Sequence, residues 1–434
     1  MLNILIPITV SYIDPGTGGM LFSILFGIFG SLMLFMRGLI VKLKFKVGAG
    51  KVEKDMGDAI PIVIFSDHKR YWNVFEPICD KLDKKGIKCV YYTMSEDDPA
   101  LEKKYENITA EFIGEGNKAF AKMNIVNAVI VLSTTPSLDV FQWKRSKKCG
   151  YYIHVPHQPN DITLYRMFGI DFYDALLLSG EYQEKQIRKL EELRHEPAKE
   201  IEIVGLPYMD VMKERVLATK NSPDKAEKKS PDSKKTVLLA PSWGKSGVLS
   251  VYGEKIIDAL VKTGYDIIIR PHPQSFASEK DMIDRLMKKY GEGSGVTWNR
   301  DNDNFDVLMK SDIMISDFSG VIFDFSLVYD KPVIYTEARI DKAPYDASWI
   351  DEELWTNTIL PHIGLELKES DFDNIKDVID KCISSDEFAK GRDRARSETW
   401  SHQMEGAERT AEFIAAKYKE LTSTDSLADE AEAS

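Results

Sequence analysis

The sequence predicts an α/β protein: two parallel-sheet domains facing a cleft, preceded by one N-terminal transmembrane helix. Three observations carry that expectation. Short continuous apolar runs alternate with helical stretches over residues 58–215, and again over residues 236–421. A polar stretch, residues 219–235, separates the two series. An almost uncharged segment stands in front of both. Continuous apolar strands imply a sheet covered on both faces, and their alternation with helices implies parallel order. A chain of 434 residues also exceeds one ordinary core.

From Met1 to Met36 the only charge is Asp14, and residues 19–36 form a run long enough to span a bilayer. Arg37, Lys42, Lys44, Lys46, Lys51 and Lys54 follow, so that side is expected to be cytoplasmic. Residues 1–45 are therefore read as a single-pass membrane anchor, with its helix at about 19–41; the alternative is a hairpin or interfacial segment, two short apolar pieces separated by a turn at Asp14-Pro-Gly-Thr-Gly-Gly. The segment lacks the basic start and small-residue cleavage site of a signal peptide.

Ile60–Phe65 reads as a buried strand, Trp72–Lys84 as an amphipathic helix and Lys88–Tyr92 as the next strand, a right-handed βαβ unit. Ala128–Leu132, Gly150–Ile153, Ala175–Leu178 and Ile201–Val204 continue the first series, with a helix at Glu181–Leu193. Residues 219–235 contain Ser-Pro steps and many charges and no large apolar residue, which is the composition of a flexible linker. Strands then return at Thr236–Ala240, Tyr265–Ile269, Val296–Trp298, Asp312–Ser316 and Pro332–Tyr335. A last helix, Glu405–Leu421, precedes residues 422–434, read as a disordered acidic tail.

The net charge of −12 leaves no basic footprint for nucleic acid. Cys79, Cys89, Cys149 and Cys382 form no CxxC pair, which argues against a disulfide framework or zinc site. Gly48–Lys51 lacks the spacing of a P-loop, and neither a G-x-G-x-x-G nor a G-x-S-x-G run occurs. Asp301-Asn-Asp303 reads as a polar turn before a helix.

In open α/β sheets, ligands bind beyond the carboxyl ends of the strands. The run Asp312–Ser316 ends there on Asp317-Phe-Ser319-Gly320 and restarts as a helix over Val321–Tyr329. Free amides at such a helix start form an anion site, Ser319 adds a hydroxyl, and Gly320 admits a close phosphate. Asp317, itself an anion, is expected to accept amide bonds or orient the loop. Asp324, one turn in, can meet a sugar hydroxyl. A second strand end, Arg270-Pro-His272-Pro, sets a cation and an imidazole on a stiff loop suited to a diphosphate. A third, Pro241-Ser242-Trp243, can line a donor pocket. In the first series His154-Val-Pro-His157 offers two histidines, either of which can serve as a general base. Asp67, His68 and Arg70 at the end of the first strand are weaker candidates for contact with an acceptor.

Pro-Ser-Trp-Gly, Arg-Pro-His-Pro, Ser-Asp-Phe-Ser-Gly-Val-Ile-Phe-Asp-Phe and Lys331-Pro-Val-Ile-Tyr335 occur in that order, each at a strand end or start. Gly205-Leu-Pro-Tyr-Met-Asp210 precedes them. The series resembles the CDP-glycerol glycerophosphotransferases, the teichoic-acid-type polyol-phosphate transferases. It does so over roughly residues 60–415 and most specifically over 236–336. That resemblance implies the double Rossmann-like GT-B fold, with residues 58–215 as acceptor domain and 236–421 as donor-binding domain. It implies that His272 contacts the donor diphosphate, and that Ser319 and the amides around Gly320 hold its phosphates beside Asp317. Family members usually carry a second Ser where this chain has Gly320, and His-Gly-Thr where it has His154-Val-Pro or His157-Gln-Pro.

The implied reaction moves glycerol phosphate, or another alditol phosphate, from a CDP-alditol to a hydroxyl of a lipid-linked glycan, releasing CMP. The expected partners are that donor, that acceptor and the membrane, with no cofactor and no metal. Two other readings remain: a UDP-sugar glycosyltransferase or 2-epimerase on the same fold, and a non-catalytic membrane-tethered binding protein.

Overall fold

A computed structural model describes residues 58–221, 233–301 and 303–432, with side chains to residue 423. The expected anchor at residues 1–45 and most of the expected linker lie outside these residues. Among the described residues no helix is long and apolar enough to cross a membrane.

The first lobe holds seven strands: β1 Ile60–Ser66, β2 Cys89–Thr93, β3 Ile108–Phe112, β4 Ala128–Ser133, β5 Cys149–His154, β6 Ala175–Leu178 and β7 Glu200–Ile203. All pairs are parallel, in the order β3-β2-β1-β4-β5-β6-β7. The second lobe holds six: β8 Thr236–Leu239, β9 Asp266–Ile269, β10 Val296–Trp298, β11 Ile313–Ser316, β12 Val333–Thr336 and β13 Gly364–Leu367. They too are parallel, in the order β10-β9-β8-β11-β12-β13. Both sheets fall in one compact unit, Val52–Ser434.

The expected α/β architecture is present, and burial explains it. Ile62 to Phe65 of β1, Ile130 to Leu132 of β4 and Ile313 to Ile315 of β11 are fully buried. Each such side chain contributes about 1.5–3 kcal/mol when taken from water. In both sheets the chain reverses direction of growth at the centre, between β1 and β4 and between β8 and β11. Ligands bind at such switch points. A serine pins each one: Ser133 Oγ donates to the Phe65 carbonyl at 2.8 Å, and Ser316 Oγ to the Ala240 carbonyl at 2.6 Å.

Four details differ from the sequence reading. Strands β3 and β13 were not expected; both sit at sheet edges with part-exposed residues, so they lack the continuous apolar run of a central strand. The stretch expected as one helix over Val321–Tyr329 is a single α turn, Val321–Phe323, followed by a π-helical stretch, Asp324–Val328. The last helix runs Gly406–Glu432 and is not followed by a separate tail from residue 422; residues 422–432 contain no Gly or Pro to stop it. It also returns to the first lobe, where Glu408 meets Lys81 and Lys85, and Lys417 meets Glu200.

Buried carboxylates brace the two lobes. Asp210 accepts from Trp400 Nε1 at 2.7 Å, Met404 N at 2.8 Å and Gly406 N at 3.0 Å. Asp161 accepts from Trp355 N at 2.7 Å, and from Thr356 N and Oγ1 at 2.9 and 2.6 Å. Asp346 accepts from the Phe168 and Gly169 amides and pairs with Arg194. Gly180 lets the Glu398 carbonyl come so close that a Cβ would stand 1.8 Å from it.

Candidate active site

The second-lobe half of the site is built around Asp317, which follows β11 and is 1% exposed. Its carboxylate accepts from Ser242 N at 2.9 Å, Ser242 Oγ at 2.5 Å, Val248 N at 3.0 Å and Ser319 N at 3.0 Å. It thus ties the loop after β8 to the turn after β11. Burial pushes its pKa up, against the pull of those hydrogen bonds. The Ser319 amide is already occupied by the carboxylate, whereas the amides of Gly320 and Val321 meet no protein acceptor among the described residues.

Gly320 faces the other lobe. A Cβ placed on it would lie 3.8 Å from Asn160 Oδ1 and 3.8 Å from Gln158 Cβ. The turn after β11 therefore borders the loop after β5, across the interlobe cleft. Asn160 is 6% exposed, and its Oδ1 is buried with no protein partner.

Pro241 and Ser242 are held under Asp317, while Trp243 is 41% exposed and its ring stands 6.4 Å from that of His272. Arg270 Nη1 bonds Asn299 Oδ1, and burial holds the guanidinium below its usual range. His272 Nδ1 accepts from Gln274 N at 3.1 Å. A neutral ring so held carries its proton on Nε2, which makes it a donor toward an anion. Burial lowers the His272 pKa to about 4, and Arg70 of the first lobe pushes in the same direction. Asp324 is not left open for a sugar hydroxyl: its Oδ1 accepts from Tyr208 OH at 2.8 Å, an interlobe contact. Burial raises its pKa to about 7.

In the first lobe the two histidines separate cleanly. His154 closes β5 and is fully buried, with neither ring nitrogen hydrogen-bonded among the described residues. It packs edge-on against Tyr165 and Tyr173, at 5.3 and 5.2 Å, and burial drives its pKa to about 3. His154 is a core side chain, and the structure does not bring it to the cleft. His157 lies past the strand end and is half-buried. Its Nδ1 meets Thr134 Oγ1 at 2.6 Å and Tyr165 OH at 3.3 Å. Its ring stands 4.8 Å from that of Tyr71. Burial, then Arg70, lowers its pKa to about 4.

Asp67 Oδ1 is buried without a partner, and burial raises the Asp67 pKa while Thr135 and Arg70 oppose it. His68 caps a short 3-10 turn, its Nδ1 accepting from Arg70 N at 3.1 Å. Arg70 is exposed, its guanidinium 5.7 Å from the Tyr71 ring, and no carboxylate lies within ion-pair distance among the described residues. The Arg70 charge depresses both His157 and His272, so the three groups share one electrostatic neighbourhood.

Thr134, Tyr165 and Tyr71 are not among the residues that the sequence points to. One signal was available. Ser133-Thr134-Thr135-Pro136 ends β4 as the other candidate loops end their strands: a buried run, then hydroxyls and a proline.

A family model described as CDP-Glycerol:Poly(glycerophosphate) glycerophosphotransferase matches residues 147–354, from just before β5 to beyond β12. A teichoic acid glycerol-phosphate primase from Bacillus spizizenii is 23% identical over 274 residues, 57% of this chain and 66% of that protein. The chain thus spans just under two thirds of this relative. A variant of the wall teichoic acid polymerase TagF superposes with a TM-score of 0.53 at 15% identity, covering 90% of this chain and 95% of that one. A UDP-GlcNAc 2-epimerase from Neisseria meningitidis gives 0.50 at 11% identity, covering 82% and 98%. These superpositions speak to the fold, which is the two-lobed GT-B arrangement. Over residues 147–354, the chain is similar to the CDP-glycerol glycerophosphotransferases, a family of transferase enzymes.

Proposed function

We propose that this protein transfers glycerol phosphate, or a closely related alditol phosphate, from a CDP-activated donor to a hydroxyl of a lipid-linked glycan or polymer, releasing CMP. The observation that carries the reading is the meeting of the Ser319–Gly320 turn with the Gln158–Asn160 loop across the cleft. The donor diphosphate lies against the open Gly320 and Val321 amides. His272 donates to it from Nε2. Arg70 adds charge from the opposite lobe. His157 takes the proton of the attacking hydroxyl, and the β-phosphorus passes to that oxygen as CMP departs. Such a transfer rests on positioning and charge stabilisation.

Membrane anchoring through residues 1–45, with both lobes on the cytoplasmic side, belongs to the same proposal. It would hold the cleft beside a lipid-linked acceptor. The test incubates full-length protein in membranes with CDP-glycerol, CDP-ribitol or UDP-GlcNAc and a lipid-linked acceptor. CMP release together with a mass increase of the acceptor is expected. Turnover of UDP-GlcNAc alone would replace this reading with a sugar-nucleotide one.

A further inference from the structure

His157 differs from the other cleft histidine in what meets its Nδ1. His272 Nδ1 faces a backbone N–H, which can only donate, so that ring keeps its proton on Nε2. His157 Nδ1 faces the Thr134 hydroxyl at 2.6 Å and the Tyr165 hydroxyl at 3.3 Å. A hydroxyl can accept, so Nδ1 can carry the proton. His157 Nε2 meets no protein group among the described residues, and unlike both nitrogens of His154 it is not sealed from solvent. Thr134 is itself fully buried at the end of β4, so its hydroxyl has little rotational choice.

We propose that Thr134 is a positioning residue: its hydroxyl accepts from His157 Nδ1–H, fixing the tautomer that presents a bare Nε2 to the acceptor hydroxyl. The Tyr165 hydroxyl, 3.3 Å from the same Nδ1, is a second group able to accept that proton. The two cleft histidines are thereby set in opposite tautomers, His272 to donate to the diphosphate and His157 to take a proton. This rests on the assignment of His157 as base in the proposed reaction.

The test has one arm that needs no turnover. Selective 15N-histidine labelling of the full chain, with the His157 signals assigned by their loss in His157→Gln, reads the tautomer from the shifts of its two ring nitrogens at pH 7. Wild type is expected to show protonated Nδ1 and bare Nε2. Thr134→Val is expected to shift His157 toward the other tautomer, and Thr134→Ser to restore the wild-type pattern. The second arm measures turnover. Thr134→Val is expected to lower kcat by roughly 10- to 100-fold with the donor KM nearly unchanged, and Thr134→Ser to recover most of it. If Thr134→Val does not fold, the wild-type and Thr134→Ser spectra decide. A wild-type His157 protonated on Nε2, or a tautomer unmoved in folded Thr134→Val, overturns the proposal. Wild type inactive on CDP-alditols but showing the expected tautomer switch would instead sink the reaction and leave the positioning role standing.

Discussion

Asp317→Ala separates a carboxylate that builds the donor site from one that touches the donor. In the native chain that carboxylate satisfies three backbone N–H groups, from Ser242, Val248 and Ser319, and one hydroxyl. Removing it leaves buried donors without an acceptor, and each costs about 1–3 kcal/mol. Water entering the space relieves part of this, so the expected loss is about 4 kcal/mol, concentrated in the second lobe. Asp317→Asn keeps one acceptor oxygen but turns an NH2 toward donors, and should lose about half as much. Urea denaturation gives the stability, and hydrogen exchange at the amides of Ser242, Val248 and Ser319 locates the damage. Faster exchange at all three is expected, with donor KM rising because the Gly320 turn is no longer held. A variant with native stability and native exchange, but no turnover, would refute the building role.

Three further outcomes follow from the same geometry. Gly320→Ser should fold with little loss, because the backbone is right-handed helical there (φ −55°, ψ −29°) and the added Cβ finds only ordinary contacts at 3.8 Å. Its hydroxyl should tighten donor binding, measured as KM; a fall in melting temperature of several degrees would contradict the space assigned to it. His154→Phe should keep substantial turnover, since the ring makes only packing contacts, whereas His157→Ala should lose at least about 100-fold in kcat. The reverse ranking in the membrane assay would return the base to His154. Asp324 has a folded pKa of about 7 against an ordinary value of 3.8, so the fold favours its protonated form. Its contribution is fully present below about pH 4 and is lost as pH rises through about 7. Asp324→Asn keeps an acceptor for Tyr208, so its melting temperature should vary less than wild type between pH 5 and 8. Parallel pH curves would show that Asp324 is ionised without penalty.

Central elements were legible in the sequence because each is buried on both faces. Ile60–Phe65 and Ala128–Leu132 could be read as strands from composition alone. Edge strands were not legible for the same reason inverted: Ile108–Phe112 alternates buried and exposed residues, so it lacks a continuous run. The π-helical stretch Asp324–Val328 has no compositional mark, since a one-residue change of hydrogen-bond register uses ordinary residues. Strand ends carrying charge, such as Arg270-Pro-His272 and Asp317-Phe-Ser319, were readable. Spacing could not choose between His154 and His157, because three residues separate a position inside β5 from one beyond it. Only packing shows that the first is enclosed by Tyr165 and Tyr173.

The two switch points are built alike and used differently. In each, a serine at a strand end bonds the neighbouring strand, and an aspartate follows a central strand. Asp317 in the second lobe is saturated by four donor groups, which makes it structural. Asp67 in the first lobe has one oxygen, Oδ1, buried without a hydrogen bond among the described residues, while Thr135 and the Arg70 charge counter the cost of its burial. A buried acceptor left unmet costs stability, about 1–3 kcal/mol, that a purely structural site would have no reason to lose. The lobes therefore divide the work physically. The second lobe offers a rigid, pre-satisfied turn whose spare amides suit an anion. The first offers the open Nε2 of His157, while Asp67 Oδ1 and Asn160 Oδ1 are closed to solvent.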